Sequence, residues 1–263
     1  MKRIMMIGSP LTHVRSPAII NAMLRETGEK VEVVAQEVRT EQLGPFVNAS
    51  RGAHGITGLI VTTPLKNAIC SHLDRRTAIV ELIGASNCVR CEGAHWFGAN
   101  FDGYGFAAAI GMTTLSGRRV LLVGCRGAGS AIAASLAAVT EIELSVFDLD
   151  FARTETLASR LRRFAPNARI KAIEEPAGKF EIVVNASTSG MQEDDLSPVP
   201  TDIVAGASLI ADIIVDRDTR LKQDARRYHK PLIDGEAMVR GQARFLQRFI
   251  LGKAESEEDA IVD

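Results

Sequence analysis

Short apolar runs of strand length alternate with stretches whose apolar residues recur at helical spacing through most of the chain. The runs at 4–7, 31–34, 59–62, 120–123, 144–147, 182–184, 209–214 and 231–233 predict strands. The segments 16–25, 65–73, 75–83, 127–137, 152–164 and 219–228 predict amphipathic helices. Strand and helix in such alternation imply parallel sheets covered on both faces. Another helix is expected to begin near Asp102, and a last one over 236–251, with Gly252 as its C-cap. The acidic remainder KAESEEDAIVD is expected to fray. The glycine-punctuated stretch GAHWFGANFDGYGF at 93–106 is expected to act as a hinge between two lobes, the second starting afresh at a glycine loop near 124.

Composition narrows the function classes. At 263 residues the chain is comfortable for two domains, and 46% hydrophobic with 24% charged residues describes a globular protein. A formal net charge of −1 and only 5% aromatic residues supply neither a basic stripe nor a stacking platform, so no nucleic-acid partner is expected. No apolar run is long enough for a membrane span, and the opening MKRIMMIGSP lacks a signal-peptide core, so a cytoplasmic protein without a membrane partner is expected. Of the cysteines Cys70, Cys88, Cys91 and Cys125, the pair at 88 and 91 is spaced C-x-x-C. On a strand those two side chains point to opposite faces, and a second ligand pair is missing, so no metal site is expected.

The segment RRVLLVGCRGAGSAIAASLA at 118–137 places a glycine loop between a strand and a helix. Gly124, Gly127, Ala128 and Gly129 suit a turn whose helical amides and dipole hold a pyrophosphate. The middle glycine of a G-x-G-x-x-G loop is here Arg126, which either obstructs the cofactor or adds a charged hydrogen bond to it. About twenty residues on, a strand ends in Asp148, placed to accept from an adenosine ribose. With Asp150 close behind, that acid repels a 2′-phosphate, while Arg153 lies a turn into the next helix. NAD is therefore expected in preference to NADP.

Further segments carry a family resemblance. GSPLTHVRSP at 8–17, GLIVTTPLK at 58–66, GASN at 84–87 and GANFDGYGF at 98–106 stand in this order, with NASTSGM at 185–191 and DGEAMVRGQA at 234–243 after the glycine loop. Together they resemble the shikimate/quinate dehydrogenase family, whose patterns run G-x-P-x-x-H-S-x-S-P, G-x-N-V-T-x-P-x-K, G-A-x-N-T, G-x-N-T-D-G, N-A-T-P-x-G-M and D-G-x-x-M-L-x-x-Q-A. The resemblance implies an α/β fold of two lobes. An open α/β substrate-binding domain would comprise 1–101 and 236–263, and a Rossmann-type, doubly wound dinucleotide-binding domain 102–235. It also implies hydride transfer between a nicotinamide cofactor and a ring hydroxyl of shikimate, quinate or a related cyclic hydroxy acid, by a monomer or homodimer.

By the same resemblance Lys66 and Asp102 form the proton-transfer pair, and Thr62, Asn87 and Gln242 handle the ring hydroxyls. Ser16 serves the substrate carboxylate, which Arg15 also reaches if it turns inward. Gly124, Arg126, Gly127, Ala128, Gly129, Asp148, Asn185, Ser187, Met191 and Gly235 fall on the cofactor side. The chemistry agrees with these residue types: oxidising an alcohol needs a group to take the hydroxyl proton as hydride leaves. A free lysine titrates at about 10.4, a value that desolvation lowers and a neighbouring carboxylate raises.

The departures are grouped. Val14 stands for the first serine of H-S-x-S-P, Ile60 for the asparagine of N-V-T, Phe101 for the threonine of N-T-D, and Val215 for a tyrosine of D-x-x-Y-x-P. By resemblance the carboxylate end has lost two polar contacts of three while the hydroxyl-handling set survives. The expected protein is a divergent member of the family. The alternative is a catalytically weak dinucleotide-binding regulator, against which the retained Lys66 and Asp102 argue.

Overall fold

The computed structural model describes residues 2–11, 14–111 and 115–261. It divides into two compact units, one formed by Met1–Asp102 with Val239–Asp263 and the other by Gly103–Met238.

The first unit is built on a six-stranded sheet of order β2-β1-β3-β5-β6-β4. Its strands are β1 (Lys2–Gly8), β2 (Val31–Glu37), β3 (Ile56–Val61), β4 (Arg75–Arg76), β5 (Cys88–Glu92) and β6 (His95–Ala99). The helices that follow its strands are α1 (Ser16–Glu26), α2 (Leu43–Ser50) and α3 (Ala78–Ile83). Pro17 opens α1, where its missing N–H removes no helical bond. Gly84 closes α3 at φ 67°, a left-handed cap that suits glycine. Ile7, Leu59, Val61, Leu65, Ile69, Val80, Val89 and Trp96 share one buried cluster.

The second unit holds a six-stranded sheet of order β12-β11-β10-β7-β8-β9, parallel throughout. It comprises β7 (Arg119–Val123), β8 (Glu143–Phe147), β9 (Arg169–Ala172), β10 (Ile182–Asn185), β11 (Leu209–Asp212) and β12 (Leu232–Asp234). They are preceded by α4 (Asp102–Ile110), whose first residue belongs to the first unit, and between them run α5 (Gly127–Ala137), α6 (Phe151–Phe164), α7 (Thr201–Gly206) and α8 (Arg220–Arg227). Continuous apolar strands such as Val120–Val123 are what a sheet buried on both faces requires. Asp150 caps α6 by accepting from the Arg153 amide, and Thr219 caps α8 through Lys222 N. The last helices are α9 (Gly235–Ile250), which begins in the second unit and continues in the first, and α10 (Glu257–Ile261).

Several elements differ from the sequence reading. The first sheet is mixed, because β5 runs antiparallel to both β3 and β6. That hairpin has no clean apolar alternation because its Arg90 is buried, so 88–92 is missing from the strand runs, although the cysteine pair at 88 and 91 is weighed as lying on a strand. Part of the expected hinge is thus strand, with Trp96 fully buried. Over 65–73 there is no α-helix. Leu65 and Ile69 are both buried through a turn and a short 3-10 helix at Ala68–His72, which satisfies the same i, i+4 spacing. The acidic tail does not fray either: it forms α10 and buries Glu257. No helix among the described residues is long and apolar enough to cross a membrane.

Candidate active site

The end of β3 leads through Thr62, Thr63 and Pro64 to Lys66, whose amine donates to Asp102 Oδ2 at 2.6 Å. Asp102 is 1% exposed and opens α4. Its other oxygen, Oδ1, accepts from Asn87 Nδ2 at 2.9 Å, and its backbone amide donates to Asn100 Oδ1 at 3.0 Å. A buried carboxylate is costly unless paired and hydrogen-bonded, and here a cation meets one oxygen and an amide N–H the other.

Asn87, between α3 and β5, is the strut of the array. Its second amide hydrogen goes to Gln242 Oε1 on α9 at 2.8 Å, and its Oδ1 accepts from Phe101 N at 2.9 Å. Both donors of Asn87 are therefore committed to orienting Asp102 and Gln242. The structure brings Lys66, Asp102, Asn87 and Gln242 together although they lie up to 176 positions apart (242 minus 66).

Thr62 is half-buried beside Gly8, where an added Cβ would lie 2.4 Å from the threonine methyl. Arg15 is an exposed residue at the N-cap of α1, Ser16 is the helix's first residue, and Val14 is half-buried. Thr12 and His13 of the same motif lie outside the described residues. Two of the departures have a packing account. Ile60 is buried on β3, and Phe101 is 0% exposed, its ring centroid 5.8 Å from Phe249 and 6.4 Å from Phe245. A large apolar side chain at 101 fills the core beneath α9, where aromatic packing rewards it.

The glycine loop lies in the second unit. Gly124 has φ +97°, and a Cβ there would meet Ser187 N at 2.6 Å and the Ala186 carbonyl at 2.7 Å. A Cβ at Gly129 would fall 1.9 Å from Gly124 O, so helix and strand approach as only glycines permit. Arg126, the N-cap of α5, is exposed and extended at φ −95°, so the L-residue carries no left-handed strain, and it makes no side-chain cap. Gly127 and Ala128 form the first turn with Gly129. Asn185 ends β10 fully buried. Its Oδ1 accepts from Ser187 N and Oγ at 3.1 and 2.7 Å, and its Nδ2 donates to Ser189 O. Met191 is 40% exposed, and Gly235 lies against the backbone of Ile213, where a Cβ would be 2.2 Å from the carbonyl oxygen.

Asn100, Asp212 and Glu257 were not singled out from sequence. Asp212 is buried and accepts from Thr219 Oγ1 and Asn185 Nδ2, and burial pushes its carboxyl above the usual range. The D-x-x spacing around 212 and the Asn before Phe101 were visible signals; Glu257 had none. Cys88 and Cys91 both have thiols raised by burial, Cys91 to about 12, so neither is a ready thiolate. Among the described residues no group of three or more His, Cys, Asp or Glu side chains is placed to hold a metal.

Residues 6–89 match the family profile described as the shikimate dehydrogenase substrate binding domain. Over 247 residues the chain is 34% identical to the shikimate dehydrogenase (NADP(+)) of Bacillus licheniformis, covering 90% of this chain and 87% of the relative. The chain belongs to the shikimate dehydrogenase family. Among solved structures it is similar to the 5-ketofructose reductase of a Gluconobacter strain, at TM-score 0.79 and 26% identity over 98% of this chain and 96% of the other. The fold also matches the Thermus thermophilus shikimate 5-dehydrogenase solved with NADP(H) and shikimate, at TM-score 0.81 and 24% identity, covering 99% and 97% of the two chains.

Membership corrects the cofactor expectation. The curated relatives carry NADP(+) in their names, which overturns the preference for NAD drawn from Asp148. The geometry supplies the physical reason. Asp148 Oδ2 already accepts from Cys125 N at 2.9 Å, and Oδ1 accepts from Asp150 N at 3.1 Å and Arg153 Nη1 at 2.7 Å. Arg153 also reaches Asp150 Oδ2 at 2.8 Å. Both acids are hydrogen-bonded within the loop and share one guanidinium, so the negative charge they present is about half of what the two letters suggested.

Proposed function

We propose that this protein is an oxidoreductase acting on a ring CH–OH group, moving a hydride between NADP and shikimate or a related cyclic hydroxy acid such as quinate. The observation that carries the reading is the Lys66–Asp102 contact at 2.6 Å inside an array closed by Asn87 and Gln242. In alcohol oxidation Lys66 takes the hydroxyl proton as the C–H bond breaks, and in ketone reduction it returns that proton. Asp102 directs the amine and balances its charge, and Asn87 fixes Asp102. Gln242, tied to the array through Asn87, and Thr62 and Ser16 are the polar groups proposed to meet substrate, with Arg15 at the start of α1 for a carboxylate.

The loop residues fit a dinucleotide. Gly124 and Gly129 open a cradle that any Cβ would fill, and Gly127, Ala128 and Gly129 would present first-turn amides to a pyrophosphate. Asn185 and Ser187 shape the loop after β10, the family motifs put Arg126, Met191 and Gly235 on the cofactor side, and Arg153 would supply a cation for a 2′-phosphate in exchange for part of its pairing with Asp148 and Asp150. When bound, the nicotinamide supplies or accepts the hydride.

The test is turnover of purified protein with shikimate and with quinate, each with NADP, followed by the absorbance of reduced nicotinamide. Turnover with either acid is expected; tight NADP binding without turnover of any cyclic hydroxy acid would reject the enzyme reading. Val14 adds a graded expectation. A hydrogen bond to a charged group contributes about 1.5–3 kcal/mol, so Val14→Ser is expected to lower the KM for shikimate about tenfold. An unchanged KM would remove Val14 from the carboxylate end. The apolar Val14 and the likeness to a 5-ketofructose reductase favour a second reading, a neutral polyhydroxy ketone as substrate. Faster turnover of such a ketone than of either acid would move the assignment there.

A further inference from the structure

The C-terminal segment reaches the candidate site through a buried carboxylate. Glu257, the first residue of α10, is 1% exposed. Its Oε1 accepts from Thr77 Oγ1 at 2.6 Å and from Asn100 N at 2.8 Å. Thr77 is the residue before α3, and its own amide donates to Gly98 O on β6. Asn100 in turn donates from Nδ2 to Ala85 O at 3.0 Å and accepts the Asp102 amide on its Oδ1. One carboxylate oxygen thus joins the start of α3, the residue after β6 and, through Asn100, the backbone of Asp102.

The tail is held in place for this contact. Arg90, buried on β5, donates from Nη1 to Ala254 O at 2.8 Å and from Nη2 to both carboxylate oxygens of Glu255 at 3.0 and 2.9 Å. Its guanidinium also lies over the rings of Phe97 and Phe249, 5.2 and 5.1 Å from their centroids. Burying a carboxylate opposes its charged form, and burial is the largest influence raising the Glu257 carboxyl above the usual range. Packing alone would be better served by an apolar side chain, since a buried polar group stabilises little beyond what its hydrogen bonds return.

We propose that Glu257 is a positioning residue for the Lys66–Asp102 pair: by holding the Asn100 amide and the Thr77 hydroxyl, it fixes the segment from which Asp102 engages Lys66. The inference rests on the reading of that pair as the proton-transfer group. Asp102 Oδ2 sits at 2.6 Å from the amine, and small displacements of such groups are costly to turnover.

Steady-state kinetics of Glu257→Ala, Glu257→Gln and Lys66→Ala test it, measured on the full chain with shikimate and NADP well below each variant's thermal midpoint. Glu257→Ala is expected to lower kcat about tenfold while the KM for NADP stays unchanged. Glu257→Gln keeps an acceptor oxygen in place and is expected to restore kcat to within about twofold. If Glu257→Ala yields no folded protein, Glu257→Asp replaces it, since its shorter side chain cannot meet both donors at once; an intermediate kcat is then expected. A lowered thermal midpoint with kcat intact in the Ala or Asp variant, beside a collapsed kcat in Lys66→Ala, would leave Glu257 a folding residue and overturn the positioning role alone. Loss in Glu257→Gln equal to that in Glu257→Ala would also overturn it. Intact turnover in Lys66→Ala would remove the pair, and the proposal with it.

Discussion

Lys66→Ala is expected to lower kcat at least about a hundredfold, the ordinary scale for losing a positioned acid–base group. The variant keeps the backbone of the turn after β3 and leaves the glycine loop of the second unit untouched, so its dissociation constant for NADP should stay within about threefold of the parent's. Some stability is also lost, because Asp102 remains buried without its cation. Removing one partner of a buried pair costs about 3–5 kcal/mol, moderated here because Asn87 Nδ2 still donates to the Asp102 carboxylate. The measurement is therefore kcat per folded molecule, with calorimetric titration of NADP on the same sample. Near-normal turnover of the folded variant would reject Lys66 as the proton-transfer residue. A fall in NADP affinity as large as the fall in kcat would place the lysine in binding rather than in chemistry.

The second large effect is expected at Gly124. Its φ of +97° is a conformation that L side chains rarely adopt, and its Cβ position is already occupied by the backbone of Ala186 and Ser187. The left-handed penalty is about 1–2 kcal/mol, and overpacking against backbone adds about 1–3 kcal/mol. Gly124→Ala can meet that cost in two ways. If the loop keeps its path, the thermal midpoint falls; if the loop relaxes, the amides of α5 leave their places and the affinity for NADP falls. The two losses together should amount to at least about thirtyfold in NADP affinity, or its equivalent in stability. Calorimetry and thermal unfolding on one preparation read both. A variant that matches the parent in each would mean that the loop does not need the geometry described.

Much of this architecture was legible because the physics that sets it is local. Continuous apolar strands such as Val120–Val123, followed by glycine and then a helical pattern, identify a parallel sheet of the second unit without reference to any other part of the chain. The hairpin of β5 and β6 was not legible. Its own pairing is local, but Arg90 breaks its alternation by being buried against Phe97 on the facing strand and against Phe249, Ala254 and Glu255 far along the chain, and β5 pairs with β3 across a long separation. The helical spacing of Leu65 and Ile69 was real, but a turn and a 3-10 helix satisfy it as well as an α-helix does. Asp148 shows the same limit in electrostatic form: as a letter it is an acid at a strand end, whereas in the fold Cys125 N and Arg153 have already claimed it.

By itself the sequence determined the two-lobe α/β class, the glycine loop, the family and the residue types available for proton transfer. These depend on periodicity, on glycine's freedom of conformation and on motifs read in order. The tertiary structure alone decided that Asn87 has both donors committed, that Phe101 belongs to the core beneath α9, and that the acidic tail folds into α10 with Glu257 buried against Thr77 and Asn100. Each of those outcomes depends on which polar groups meet across long separations in the chain. A side chain's chemistry is written in its letter, but its charge and hydrogen bonds are shared with partners that only folding brings within reach.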